Sequence, residues 1–150
     1  MSAKKRIGKA EPAERFCLDS SALLALWNDE PGAETVEEIL RGEEKPVISF
    51  MTVMECRYRL WRQAGRIKAE EFRGYLELLP VAVIETNEVL LDLAVETKAS
   101  YTLSVVDSWI IATAIHTGSV LVHKDPAFER LAGRVRLLSL PYKPKTGGGA

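Results

Sequence analysis

The chain has 150 residues, a net charge of −1, 47% hydrophobic and 27% charged residues, which excludes a disordered or fibrous chain and points to one globular domain with its own core. No stretch approaches the roughly 18 apolar residues of a membrane span, and the opening MSAKKRIGKAEPAER lacks the apolar run of a secretion signal. Cys17 and Cys56 stand alone without CxxC spacing, so neither a zinc knuckle nor a disulfide framework is indicated, and a reducing, cytoplasmic setting is expected.

Residues 1–14 read as a flexible basic arm carrying Lys4, Lys5, Arg6 and Lys9. RFCLD is a short apolar run ending on an acid, a strand. SALLALWN and ETVEEILRG are helices, the second stopped by Gly42. PVISF is a strand opening on Pro46. TVMECRYRLWRQAG predicts a helix from Thr52 to Gly65, and KAEEFRGYLELL a further one. VAVIET is a strand, followed by EVLLDLAVETKAS, a helix capped by Asn87. SVVDSWIIATAIHTG is a helix from about Ser104, stopped by Gly118. SVLVHKD is a strand, PAFERLAG a short helix started by Pro126, and RVRLLSL the last strand. The tail PYKPKTGGGA, residues 141–150, reads as disordered. Residues 15–140 thus form one α/β domain, a mostly parallel central sheet of four to five strands flanked by helices. Such sheets carry their sites at the carboxyl ends of the strands.

Four acids fall at that edge. Asp19 ends the first strand and Asp125 follows the fourth; Glu55 and Asp107 lie in the first turns of helices. Each has a structural explanation. Asp19, Ser20 or Ser21 can cap a helix. Glu55 completes a capping box with Thr52 or pairs with Arg59. Ser104 caps the helix of Asp107, where the helix dipole favours a negative charge. Asp125 precedes a helix-starting proline. Capping leaves one feature unexplained. The face of Asp107 also holds Leu103, Ile110, Ile111 and Ala114, and an unpartnered carboxylate buried there is costly. If all four carboxylates converge, their repulsion requires cations. Magnesium or manganese suits an all-oxygen donor set, and two such ions can serve phosphodiester cleavage.

LDSSALLAL, the glutamate of FMTVMECRY, SVVDSWIIATAI and LVHKD, in that order and spacing, resemble the PIN (PilT N-terminus) domain over residues 15–140, and within it the VapC-type toxins of toxin–antitoxin pairs. The resemblance implies a three-layer sandwich with the metal-binding, catalytic acids Asp19, Glu55, Asp107 and Asp125. It implies a Mg²⁺- or Mn²⁺-dependent endoribonuclease, dimeric and inhibited by a cognate antitoxin. Ser20 matches a small polar residue that supports the family's site. His123 stands where the family often has a hydroxyl residue, a departure that bears on coordination.

Glu55, Arg59, Arg62 and Arg66 fall at i, i+4, i+7 and i+11, one stripe of the predicted 52–65 helix and its end. The arginines are candidates for an RNA backbone or for an acidic antitoxin segment; the alternative is a solvated charged face. Trp27, Trp61 and Trp109 are assigned to core or interface. The apolar surplus of LLALW and of the 88–100 helix permits a homodimer. Two other functional readings remain. A non-catalytic module of the same fold would dock protein or RNA. A phospho-receiver also gathers acids at strand ends, but acids placed in helices at Glu55 and Asp107 do not suit it.

Overall fold

The structure, a computed structural model, describes residues 13–144. The basic arm expected over 1–14 and the tail expected over 141–150 lie mostly outside the described residues. Five short strands form one sheet: β1 (Phe16–Leu18), β2 (Val47–Ser49), β3 (Ala82–Ile84), β4 (Val120–His123) and β5 (Leu137–Ser139), in the order β3-β2-β1-β4-β5. All four pairings are parallel. β1, β2 and β4 are buried almost throughout, as strands covered on both faces must be.

The pleat divides their residues between two cores. Leu18, Ile48 and Val122 face α1 (Ser20–Trp27), α2 (Ala33–Arg41), α3 (Phe50–Ala64) and α4 (Arg66–Leu78), with Phe72 and Leu23 fully buried among them. Cys17, Val47 and Leu121 face the other way. They meet Ile110, Ile111 and Ala114 of α6 (Val105–His116), which pairs in turn with α5 (Glu88–Ser100). The face of Asp107 that was expected to be apolar is therefore a core face: Leu103, Ile110, Ile111 and Ala114 are all buried. Both cysteines are free and buried, and burial pushes their thiols up, so neither is a reactive thiolate.

Four local expectations need correction. α3 starts at Phe50, because the Ser49 hydroxyl accepts from Met51 N–H at 3.1 Å and ends β2 one residue early. The Thr52–Glu55 capping box is not made, and Glu55 sits in the second turn. Gly65, at φ +91° and ψ 169°, breaks the chain between α3 and α4, so Arg66 opens a new helix and the four-residue stripe does not lie on one helix. The segment after Asp125 is a 3₁₀ helix, Pro126–Leu131. Finally, Leu23, Leu24, Ala25, Leu26 and Trp27 pack into or against the core, while α5 exposes Val89, Leu91 and Val95. No helix of the described residues is long and apolar enough to cross a membrane.

Candidate metal centre

Chain direction builds the site. From β1 the chain steps outward through β2 to β3, then returns past β1 to β4 and β5. The carboxyl ends of β1 and β4 therefore border the point where the sheet's winding reverses, the usual place for a crevice in an open α/β sheet. A cleft of about 580 Å³ opens there. Asp19, Glu55, Asp107 and Asp125 all line it, together with Ser21, Arg59 and Lys124.

Three of the acids meet closely. One carboxylate oxygen from each of Asp19, Glu55 and Asp107 lies within 4.8 Å of the others. Asp19 is 4% and Glu55 6% exposed, and Asp107 is half-buried. Asp125 borders the cleft but falls outside this set; its Oδ1 accepts from Ala127 N–H at 2.9 Å and starts the 3₁₀ helix. Asp107 is placed by the Ser104 cap, whose hydroxyl accepts from its backbone N–H at 3.0 Å.

Asp19 divides its two oxygens between structure and something else. Oδ2 accepts the Ser21 N–H at 3.1 Å and the Ser21 hydroxyl, the expected helix cap. Oδ1 is buried with no hydrogen-bond partner. Burial, with the nearby charges of Asp107 and Glu55 adding to it and the Ser21 hydrogen bonds opposing it, raises its pKa to about 7. Burial and the charge of Glu55 raise Asp107 as well. A buried acceptor without a partner, on a residue that meets two other carboxylates, suits a cation, and an all-oxygen donor set fits a hard divalent one. Arg59 brings one positive charge, 3.5 Å from Glu55.

Ser21 supplies the hydroxyl that donates to Asp19. The Ser20 hydroxyl is buried without a partner, while Ser21 Oγ also accepts from Lys124 N–H at 2.9 Å. That ties the end of β4 to Asp19. Lys124 is itself anchored: its ammonium, in a side chain 4% exposed, meets Glu30 at 3.2 Å and the Pro31 carbonyl at 3.0 Å. The sequence offered one signal for this, a lysine next to an acid at a strand end. His123 is fully buried; its Nδ1 accepts from Asp125 N–H at 3.1 Å and its ring lies against Phe128. Burial lowers its pKa, so it acts as a neutral acceptor fixing the turn before Asp125. Arg62 and Arg66 lie outside the cleft, stacked on Tyr58 and Trp61. Trp27 packs on Phe72 and Trp109 on Phe50, whereas Trp61 is 49% exposed and belongs to neither core.

The PIN domain family model matches residues 16–134. No curated protein matches by sequence. Among solved structures, the chain is similar to VapBC2 from Rickettsia felis bound to a promoter DNA fragment (TM-score 0.70, 13% identity, 85% of this chain and 99% of that one). It is also similar to DNA-bound VapBC from Salmonella typhimurium (0.67, 19%, 85% and 98%). A third match is VapC20 of Mycobacterium tuberculosis, titled a Sarcin-Ricin loop cleaving toxin (0.63, 18%, 80% and 95%).

Proposed function

The chain belongs to the PIN domain family, and we propose that it is a divalent-metal-dependent endoribonuclease, the toxin of a type II toxin–antitoxin pair. The observation that carries this reading is the meeting of Asp19, Glu55 and Asp107 oxygens within 4.8 Å, with Asp19 Oδ1 buried and unpartnered. The three carboxylates would hold Mg²⁺ or Mn²⁺, with Asp125 supporting from the same cleft. When bound, such an ion offsets the carboxylate charge, activates a water and stabilises the oxygen that leaves a cleaved phosphodiester.

The chain's own groups do the positioning. Ser21 fixes the Asp19 carboxylate, the Lys124–Glu30 pair fixes Ser21 through the end of β4, and neutral His123 fixes the approach to Asp125. Arg59, at the cleft wall, is placed to meet a substrate phosphate. The similarity to toxin–antitoxin complexes supports an antitoxin as partner. The exposed apolar face of Leu91, Val95 and Val105, beside a groove of about 340 Å³, supports a homodimer.

RNA cleavage tests the reading. Wild type is expected to cut RNA with Mg²⁺ or Mn²⁺, to stop with EDTA, and to lose about a hundredfold or more in rate as Asp107→Asn, since loss of a group that merely orients a metal ligand already costs about 10–100-fold. Cleavage that survives EDTA, or a fully active Asp107→Asn, overturns it. Mn²⁺ binding by calorimetry without cleavage would leave a binding module of the same fold.

A further inference from the structure

α3 carries a second row of side chains that the carboxylate cluster does not use. Its buried face holds Thr52, Glu55, Cys56 and Leu60. Tyr58 and Trp61 point away from it, 36% and 49% exposed. Each ring carries a guanidinium: Arg62 lies 5.2 Å from the Tyr58 ring centre and Arg66 5.6 Å from that of Trp61. The break at Gly65 returns Arg66 over Trp61.

The other cations of this helical hairpin are paired: Arg57 with Glu70, Arg59 with Glu55, Lys68 with Glu71, and Arg73 with Glu70 and Glu77. Among the described residues, Arg62 and Arg66 have only their aromatic partners. The row is continuous with the cleft, because Tyr58 and Arg59 line its wall.

We propose that Tyr58, Arg62, Trp61 and Arg66 form a track that holds single-stranded RNA next to the carboxylate cluster, the rings stacking bases and the guanidiniums taking phosphates. The proposal rests on the ribonuclease reading and names where the strand lies. Tyr58 and Trp61 are three residues apart, hence neighbours on the helix surface, so successive splayed bases can each find a ring. Stacking of this kind tolerates any base, since every base has a π-face. The charge pattern favours RNA over a docking protein helix. Any occupant of the ring faces must move the guanidiniums off them; a nucleotide gives each displaced guanidinium an anion beside its π-face, and an apolar helix face does not.

The test uses fluorescein-labelled single-stranded oligo(U) and oligo(A) and a duplex control, with the full chain in EDTA so that binding is read without cleavage. Wild type is expected to prefer single strands, with quenching of tryptophan emission. Trp61→Leu keeps apolar bulk at an exposed site, so the fold is retained, a point checked by circular dichroism. It should bind about fivefold more weakly or worse, the lower end of what a base stack contributes, and lose the quenching. Arg62→Gln with Arg66→Gln should lower the slope of log K against log salt by about 1.4, at ~0.7 per phosphate contact on a single strand.

Unchanged affinity, quenching and slope in these variants, with wild type still cutting RNA under Mn²⁺, overturns the track and leaves the nuclease reading standing. Loss of antitoxin binding instead of RNA binding assigns the row to a protein partner and also overturns it. A wild type that neither binds nor cuts RNA overturns both readings.

Discussion

Replacing Asp19 by asparagine should make the metal-free protein more stable. The Asp19 carboxyl titrates near 7 in the folded chain against an ordinary 3.8, because it is buried beside two other carboxylates. Its folded pKa is raised, so between these values the folded state binds more protons than the unfolded one, and stability falls as pH rises. Once both states are ionised, the penalty reaches about 4 kcal/mol, at ~1.4 kcal/mol per tenfold. Asparagine removes the charge, keeps an oxygen for the Ser21 N–H and hydroxyl, and offers its amide to the neighbouring carboxylates. We expect Asp19→Asn to gain about 2 kcal/mol at pH 8 in EDTA, roughly 4–8 °C in melting temperature for a chain of this size. By about pH 4 the gain should vanish. Saturating Mn²⁺ reverses the order: at 100 times its dissociation constant it stabilises wild type by about 2.7 kcal/mol and the variant by far less. Urea titrations at pH 4 and 8, with EDTA or Mn²⁺, read all of this. An Asp19→Asn protein less stable than wild type at pH 8 in EDTA would refute the reasoning.

Ser21→Ala removes the hydroxyl between Asp19 and the Lys124 N–H, so Mn²⁺ affinity by calorimetry should fall about tenfold or more, as for other groups that orient metal ligands; unchanged affinity would limit Ser21 to joining β4 to α1. Glu30→Gln should destabilise more than Lys124→Met in urea unfolding, by about 2 kcal/mol. The first leaves a buried ammonium with only neutral acceptors, the Pro31 carbonyl and the new amide, whereas the second leaves Glu30 with Lys143 at 3.5 Å. Gly65→Ala should lower stability by about 2 kcal/mol in a thermal melt. An added Cβ would meet nothing within 4 Å there, so the whole effect is backbone strain at φ +91°.

The strands and helices were legible because each apolar run is bounded by glycine, proline or a capping residue, and the parallel sheet followed from their alternation. The errors came where two local signals competed. PVISF reads as a strand through Phe50, and Thr52-x-x-Glu55 matches a capping box; the Ser49 hydroxyl, three positions before Thr52, accepts the Met51 N–H and the helix begins at Phe50. Ser20 and Ser21 both follow Asp19, and only the rotation of α1 decides that Ser21 lines the cleft while the Ser20 hydroxyl is buried without a partner. Trp61 is adjacent to buried Leu60 yet lies about 100° further round the helix, which removes it from the core. Sequence placed four acids at one edge and offered a cap-then-proline start for Asp125, which its bond from Ala127 N–H makes; it did not show which three of the four meet most closely.

The sheet order explains why such a costly cluster persists at this point. At the reversal between β1 and β4 a cleft opens, and residues from the starts of α1, α3 and α6 line it. Helix N-termini favour negative charge, and two of the three acids exploit this: Asp19 as the cap of α1 and Asp107 in the first turn of α6. Glu55, a turn further into α3, relies on its longer side chain and on Arg59. The backbone thus offsets part of the repulsion among three carboxylates, but Asp19 Oδ1 receives none of that help. Capping alone would be served as well by serine or asparagine, without a pKa raised to about 7. The residual penalty on Asp19 fits the proposed role of that oxygen as a ligand to a divalent cation.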